Sequence, residues 1–151
     1  GSALFLSKKN FNEISKWNED YWMYFEDVDI CKKASLINMN CVITKEVSLF
    51  HLHGGASRTN PKTKAITKSE VIKSRHVYIS NYFSKTSQSI LHPILITNNM
   101  IGIGLMALLS YPLFFINSLK VNRYKWKELL MYYLHVYTNK TWLSERSMNC
   151  K

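Results

Sequence analysis

Hydrophobic and polar positions alternate along this chain in patterns that predict a mixture of strands and helices. Residues 2–7, "SALFLS", form a short apolar run between polar neighbours, the pattern of a buried strand. "KKNFNEISKW" (8–17) sets Phe11, Ile14 and Trp17 at helical spacing, with Asn10 placed to cap the first turn. A turn follows at "NED" (18–20). A continuous aromatic run, "YWMYF" (21–25), then suits packing beneath a loop or in a short strand. From Glu26 to about Asn38 the spacing predicts a second helix, with Val28, Cys31, Ser35 and Leu36 on one face. "NCVITKEVSLFHLH" (40–53) alternates and is rich in β-branched residues, which predicts one or two strands. "GGASRTNPKTK" (54–64) reads as a loop.

Beyond residue 67 the texture changes. "KSEVIKSRHVYISNYFSK" (68–85) places apolar residues among basic ones and predicts an amphipathic helix. Residues 86–119 contain no Asp, Glu, Lys or Arg. Within them "MIGIGLMALLSYPLFFI" (100–116) runs for 17 positions with Ser110 its one clearly polar residue, the lower edge of what crosses a bilayer. "KVNRYKWKELLMYYLHVY" (120–137) mixes Lys, Arg, Tyr and Trp with a Leu/Met stripe, the composition of a helix lying among lipid headgroups.

Composition sharpens this picture. A length of 151 residues is about one domain, and a 46% hydrophobic, 13% aromatic content excludes a disordered chain. The net charge of +10 is unevenly spread. Residues 1–60 hold seven basic and seven acidic residues, whereas residues 61–151 hold thirteen and three. That asymmetry points to an anionic partner for the second part. No nucleic-acid motif is present, and the charge-free apolar run beside the basic segment fits a membrane surface, so a nucleic-acid partner is not expected. Three cysteines, Cys31, Cys41 and Cys150, are an odd number and read as reduced thiols. "GSALFLSKKN" lacks the basic start and the apolar length of a signal peptide and reads as the middle of a protein.

Two clusters carry candidate chemistry. Glu26, Asp27 and Asp29 fall within four residues of a basic chain. Read plainly, they are acids in a helix's first turn, where they complement the dipole, with Lys32 and Lys33 further along. Read functionally, one is a general base or a metal ligand at a cleft mouth, its affinity for protons raised by the aromatic run before it. Asp27 and Asp29 are too close in sequence to share a helical face, so one of them is expected to face a site. The second cluster is His51 and His53, two apart and so on one strand face, followed by Gly54, Gly55 and Ser57. They are either ordinary strand-end histidines or a metal or phosphate site, with the Gly-Gly backbone and the Ser57 hydroxyl facing an anion. A zinc site from Cys31, Cys41, His51 and His53 has the right residue types, but its long spacings do not match the usual close pairs.

Taken together, "GSALFLSKKNFNEISKWNEDYWMYFEDVDICKKA" and "VSLFHLHGGAS" resemble the second half of a glycosyltransferase family 2 catalytic domain, nearest the rhamnosyltransferase-like enzymes of bacterial surface (O-antigen type) polysaccharide synthesis. The likeness covers about residues 1–85 and includes the small-residue strand start, the "ISKWNEDYWMY" turn, the Glu26-Asp27-x-Asp29-x-Cys31 segment and the His before Gly-Gly-x-Ser. It implies an α/β fold, the acceptor-side, C-terminal half of a GT-A Rossmann-like domain over residues 1–85. Residues 86–151 would follow as apolar and basic amphipathic membrane-associating helices. It further implies transfer of a sugar, such as rhamnose, from a nucleotide-sugar donor to a lipid-linked saccharide acceptor, by an inverting, metal-dependent route with Mg or Mn. Asp27 would be the base, Glu26 and Asp29 its supports, and His53 or His51 the metal or diphosphate residue. Gly54, Gly55 and Ser57 would form a loop near donor or acceptor. The expected place is the cytoplasmic face of the bacterial inner membrane, peripheral or single-span. The family's nucleotide-binding half and its Asp-x-Asp motif do not precede this region. The expectation is therefore a C-terminal fragment, a truncated reading frame or one part of a split protein, which needs a separate N-terminal half and does not turn over alone. The competing expectation is a small non-enzymatic membrane-associated binding or assembly protein.

Overall fold

The computed structural model describes residues 3–50 and 60–150, and among them it contains five helices and no strand. The helices are α1 (Lys8–Glu13), α2 (Glu26–Leu36), α3 (Pro61–Tyr82), α4 (Lys85–Leu109) and α5 (Asn117–Asn139). α5 is the central element, packing against both α3 and α4. The expected α/β, GT-A Rossmann-like architecture is therefore overturned: the described residues are all-helical.

The correction has a physical cause. Residues 40–50 carry the strand-like alternation, yet they are irregular and exposed, with Ile43 94% and Phe50 92% accessible. A strand is stable only when a neighbour completes its ladder, and no second strand is offered among the described residues. Residues 3–6 are likewise without regular structure, although Ser7 caps α1 by accepting the Asn10 amide at 3.0 Å. The cap is thus Ser7 rather than Asn10, and α1 stops short of Trp17 because Ser15 and Lys16 turn left-handed.

Elsewhere the local rules hold. α2 ends as anticipated, within two residues of Asn38, which sits at φ 58. α3 starts earlier than the amphipathic pattern indicates. Pro61 occupies the first turn, where its missing N–H costs nothing, and Asn60 caps the helix through Thr63 at 2.7 Å. The 17-residue apolar run is not one helix: α4 ends at Leu109, and residues 110–115, with Pro112 among them, turn the chain into α5.

The two ends of the described chain are fastened to this helical body. Ile14, Ile30 and Ala34 form a small core beneath α1 and α2. This unit docks on α3 through Ser74, whose hydroxyl donates to the Met23 carbonyl at 2.9 Å. After α5 the chain returns across the molecule. Arg146 reaches Glu70 of α3 at 3.0 Å and Glu128 of α5 at 3.2 Å, and Ser147 donates to the Glu19 carbonyl at 2.9 Å.

Candidate functional site

The acidic turn opens α2, and the chain enters it through two consecutive left-handed aromatic residues, Tyr24 (φ 68) and Phe25 (φ 70). Left-handed backbone is costly for bulky residues, on the order of 1–3 kcal/mol each. Packing compensates: the Phe25 ring lies 5.7 Å from that of Tyr78 on α3. This entry directs the three acids differently.

Asp29 points inward and is wholly buried. Its Oδ1 accepts from the Tyr82 hydroxyl at 2.7 Å, and Lys33, one turn later, brings its ammonium to 3.0 Å of Oδ2. Burial first, and the Asp29 hydrogen bond next, push the Tyr82 phenol far above its ordinary range. Burial and then Asp29's charge do the same to Tyr21. Asp29 is thus the anchor tying α2 to α3. Asp27 is half-buried at the helix start, with Oδ1 accepting the Val28 amide at 2.9 Å, and hydrogen bonding to its carboxylate holds it below the usual range, opposite to the rise expected from the aromatic run. Glu26 is half-buried, and one of its carboxylate oxygens is enclosed without a hydrogen bond among the described residues. Of the two aspartates, Asp27 is the more accessible.

His51, His53, Gly54, Gly55 and Ser57 lie outside the described residues, so the second half of the expected site has no geometry to report. Cys31 and Cys41 are free thiols, and burial followed by the neighbouring Cys41 thiol pushes Cys31 upward. No group of three His, Cys, Asp or Glu side chains converges to hold a metal among the described residues. The residues expected to meet Mg or Mn, His51 and His53, lie outside the described residues, and no chemical step is routed through a metal.

Two features escaped the sequence reading. The first is a neutral imidazole pair at the junction of α3, α4 and α5. His76 and His92 face each other with Nδ1 atoms 2.8 Å apart, and the Trp142 indole stacks on His92 at 3.9 Å. One tautomer assignment satisfies every contact: Tyr133 donates to His76 Nε2, His76 Nδ1–H donates to His92, and His92 Nε2–H points at Ser80 Oγ. Burial and the second imidazole hold His76 down to about 3. The second is a buried ion network, Lys73 to Glu70 at 2.8 Å and Glu70 to Arg146 at 3.0 Å. The Glu70–Lys73 spacing is visible in the sequence, but the third member, Arg146, lies 76 residues away.

The α4–α5 hairpin forms the other candidate surface. α4 turns Ile90, Ile94, Ile101, Leu105 and Leu108 outward along one stripe, all more than half accessible. On α5, Lys120, Arg123 and Lys127 share a face by their spacing. Among the described residues no carboxylate pairs with any of the three. Between the helices runs an apolar groove of about 420 Å³. Half-buried Lys125 is held below its usual range by burial and by the positive charges of Lys68 and Arg75.

The chain matches no protein-family model, no curated protein and no solved structure.

Proposed function

We propose that this chain lies on the anionic cytoplasmic face of a bacterial inner membrane through its α4–α5 hairpin. There it serves as the acceptor-side part of a sugar transferase, with Asp27 as the base. The observation that carries the placement is α4's outward apolar stripe beside α5's cation row, which meets no carboxylate among the described residues. Apolar burial and attraction to anionic lipid then act in one plane.

Lying in that plane fits better than crossing it. α4 has the length and hydropathy of a span, with 17% of its most apolar window buried. Yet the Trp126 indole of α5 donates to the Met100 carbonyl at 3.2 Å, and Arg123 sits 5.2 Å over the Tyr111 ring. α5's cations thus run alongside the apolar segment. A crossing α4 would draw Arg123 and its neighbours into hydrocarbon, at roughly 2.5–3.5 kcal/mol each. Flat in the interface, the same cations meet phosphates.

The chemistry rests on the resemblance of the Glu-Asp-x-Asp segment, supported by its division of labour. Asp29 anchors α2, and Asp27 stands at the helix start where an acceptor hydroxyl could approach. A base there would take the acceptor hydroxyl's proton as its oxygen attacks the anomeric carbon of a nucleotide sugar, breaking the bond to the diphosphate oxygen and releasing the nucleotide with its phosphates. Asp27→Asn tests this in membranes carrying the chain together with its nucleotide-binding half, read as labelled sugar entering the lipid fraction. Loss of roughly 100-fold or more with an unchanged unfolding midpoint is expected. Unchanged incorporation would refute the base assignment and leave the non-enzymatic membrane reading. Placement is tested by co-sedimentation with phosphatidylglycerol vesicles. Binding is expected at low salt and should fall as salt rises past the Debye regime of about 0.1 M; no binding at either would refute it.

A further inference from the structure

The groove between α4 and α5 is shaped for something more particular than a surface. We infer that it holds one acyl chain of an anionic bilayer phospholipid, with the lipid's phosphate on Arg123. This rests on the membrane reading above.

The groove's volume, about 420 Å³, falls among ligand pockets of roughly 300–1,000 Å³. Met100, Ile101, Leu105 and Leu108 give it hydrocarbon walls. Trp126 forms its other side, and the indole N–H is already bound to the Met100 carbonyl, so the ring offers the groove its apolar body. Gly104 makes that seating possible: a Cβ at this position would fall 2.8 Å from Trp126 Nε1. The wall is thus apolar along its length, with polarity confined to one end.

That end is Arg123. Its guanidinium lies over the rings of Tyr111 at 5.2 Å and Tyr124 at 5.8 Å, and among the described residues no carboxylate pairs with it. An arginine held flat by aromatics keeps its donor fork for a phosphate. Lys120 and Lys127, on the same face, extend the positive field. A tail-and-phosphate ligand matches this order of groups. A second copy of the chain matches it poorly. Its complementary surface would have to be acidic, yet the whole chain holds ten acids against twenty cations, and Glu13, Asp29, Glu70 and Glu128 already pair with cations of their own chain.

The test uses the purified chain and dihexanoyl phosphatidylglycerol below its micelle concentration, followed by calorimetric titration. Dihexanoyl phosphatidylcholine serves as the zwitterionic control. Saturable binding of the glycerol lipid is expected, about fivefold or more tighter than the choline lipid. Arg123→Gln should bring the two to parity. Leu105→Trp, at an accessible position where a larger ring fills the groove, should abolish both while leaving the circular dichroism of the helices intact. Equal affinity for the two lipids, an unaffected Arg123→Gln variant, or undiminished binding by Leu105→Trp would overturn the inference. So would a dimer in sedimentation velocity that the lipid does not dissociate. The two readings separate cleanly. Wild-type chain that binds vesicles but not the monomeric lipid refutes the groove and spares the membrane placement. Saturable, Arg123-dependent binding of the monomer without vesicle binding does the reverse.

Discussion

Asp27 and Asp29, two residues apart on α2, meet different surroundings. Asp29 is enclosed with Tyr82 and Lys33, whereas Asp27 keeps part of its carboxylate accessible. Removing a buried charge's partner strands the remaining groups, so Asp29→Ala should cost about 3 kcal/mol in denaturant unfolding. Asp27→Asn keeps an oxygen for the Val28 amide and should cost less than Asp29→Ala. Equal costs would refute the anchor assignment. His76 yields a pH prediction. Its folded affinity for protons is depressed, so between its unfolded value near 6.5 and about 3 the unfolded chain binds more protons than the native one. The stability from keeping it neutral is complete above 6.5 and falls with pH below that, by up to about 1.4 kcal/mol per unit. Wild-type chain should therefore unfold at lower denaturant at pH 5 than at pH 7, and His76→Gln should flatten that slope. Little of this was legible beforehand. That one acid of the pair would face away from the other followed from helix geometry, but which one turned inward depended on Tyr82, 53 residues away.

Among the elements, helices were read where period and caps agreed. α2 and α5 appear close to their expected bounds because each carries an apolar stripe that α5's neighbours or the small Ile14–Ile30–Ala34 core can cover. The segment 40–50 shows the opposite case. Its alternation is a preference for a sheet, and a preference without a partner forms nothing. The contact at Gly104 gives an element-level prediction. Ala normally gains about 1 kcal/mol over Gly inside a helix. At Gly104 the new methyl would press on Trp126, so Gly104→Ala should forfeit that gain in the wild type. It should recover the gain in a Trp126→Phe background. A double-mutant cycle by denaturant unfolding checks this, and additivity of the two changes would contradict the close packing.

For the molecule as a whole, the returning residues after α5 join what the helices leave apart. Arg146 bridges Glu70 of α3 to Glu128 of α5, Ser147 reaches Glu19, and the Tyr132 hydroxyl holds the Trp142 carbonyl at 2.7 Å. Arg146→Ala should cost about 2 kcal/mol, since it breaks two charge-assisted contacts, one of them to a buried acid. A change within experimental error would mean the bridge is ornamental. Charge acts at this scale too. The basic excess of residues 61–151 was apparent from counting alone, and the structure adds that three of those cations line one face of α5 without acidic partners among the described residues.

The sequence by itself determined what depends on near neighbours: capped helices, the acidic first turn of α2, the apolar stretch and the basic bias. These follow from backbone geometry, helix dipoles and composition, all local in range. Tertiary structure alone decided the all-helical outcome among the described residues, the burial of Asp29, the His76–His92 pair under Trp142 and the groove beside Arg123. Each depends on groups distant in the chain meeting in space, and no periodicity along the chain records which of them will meet.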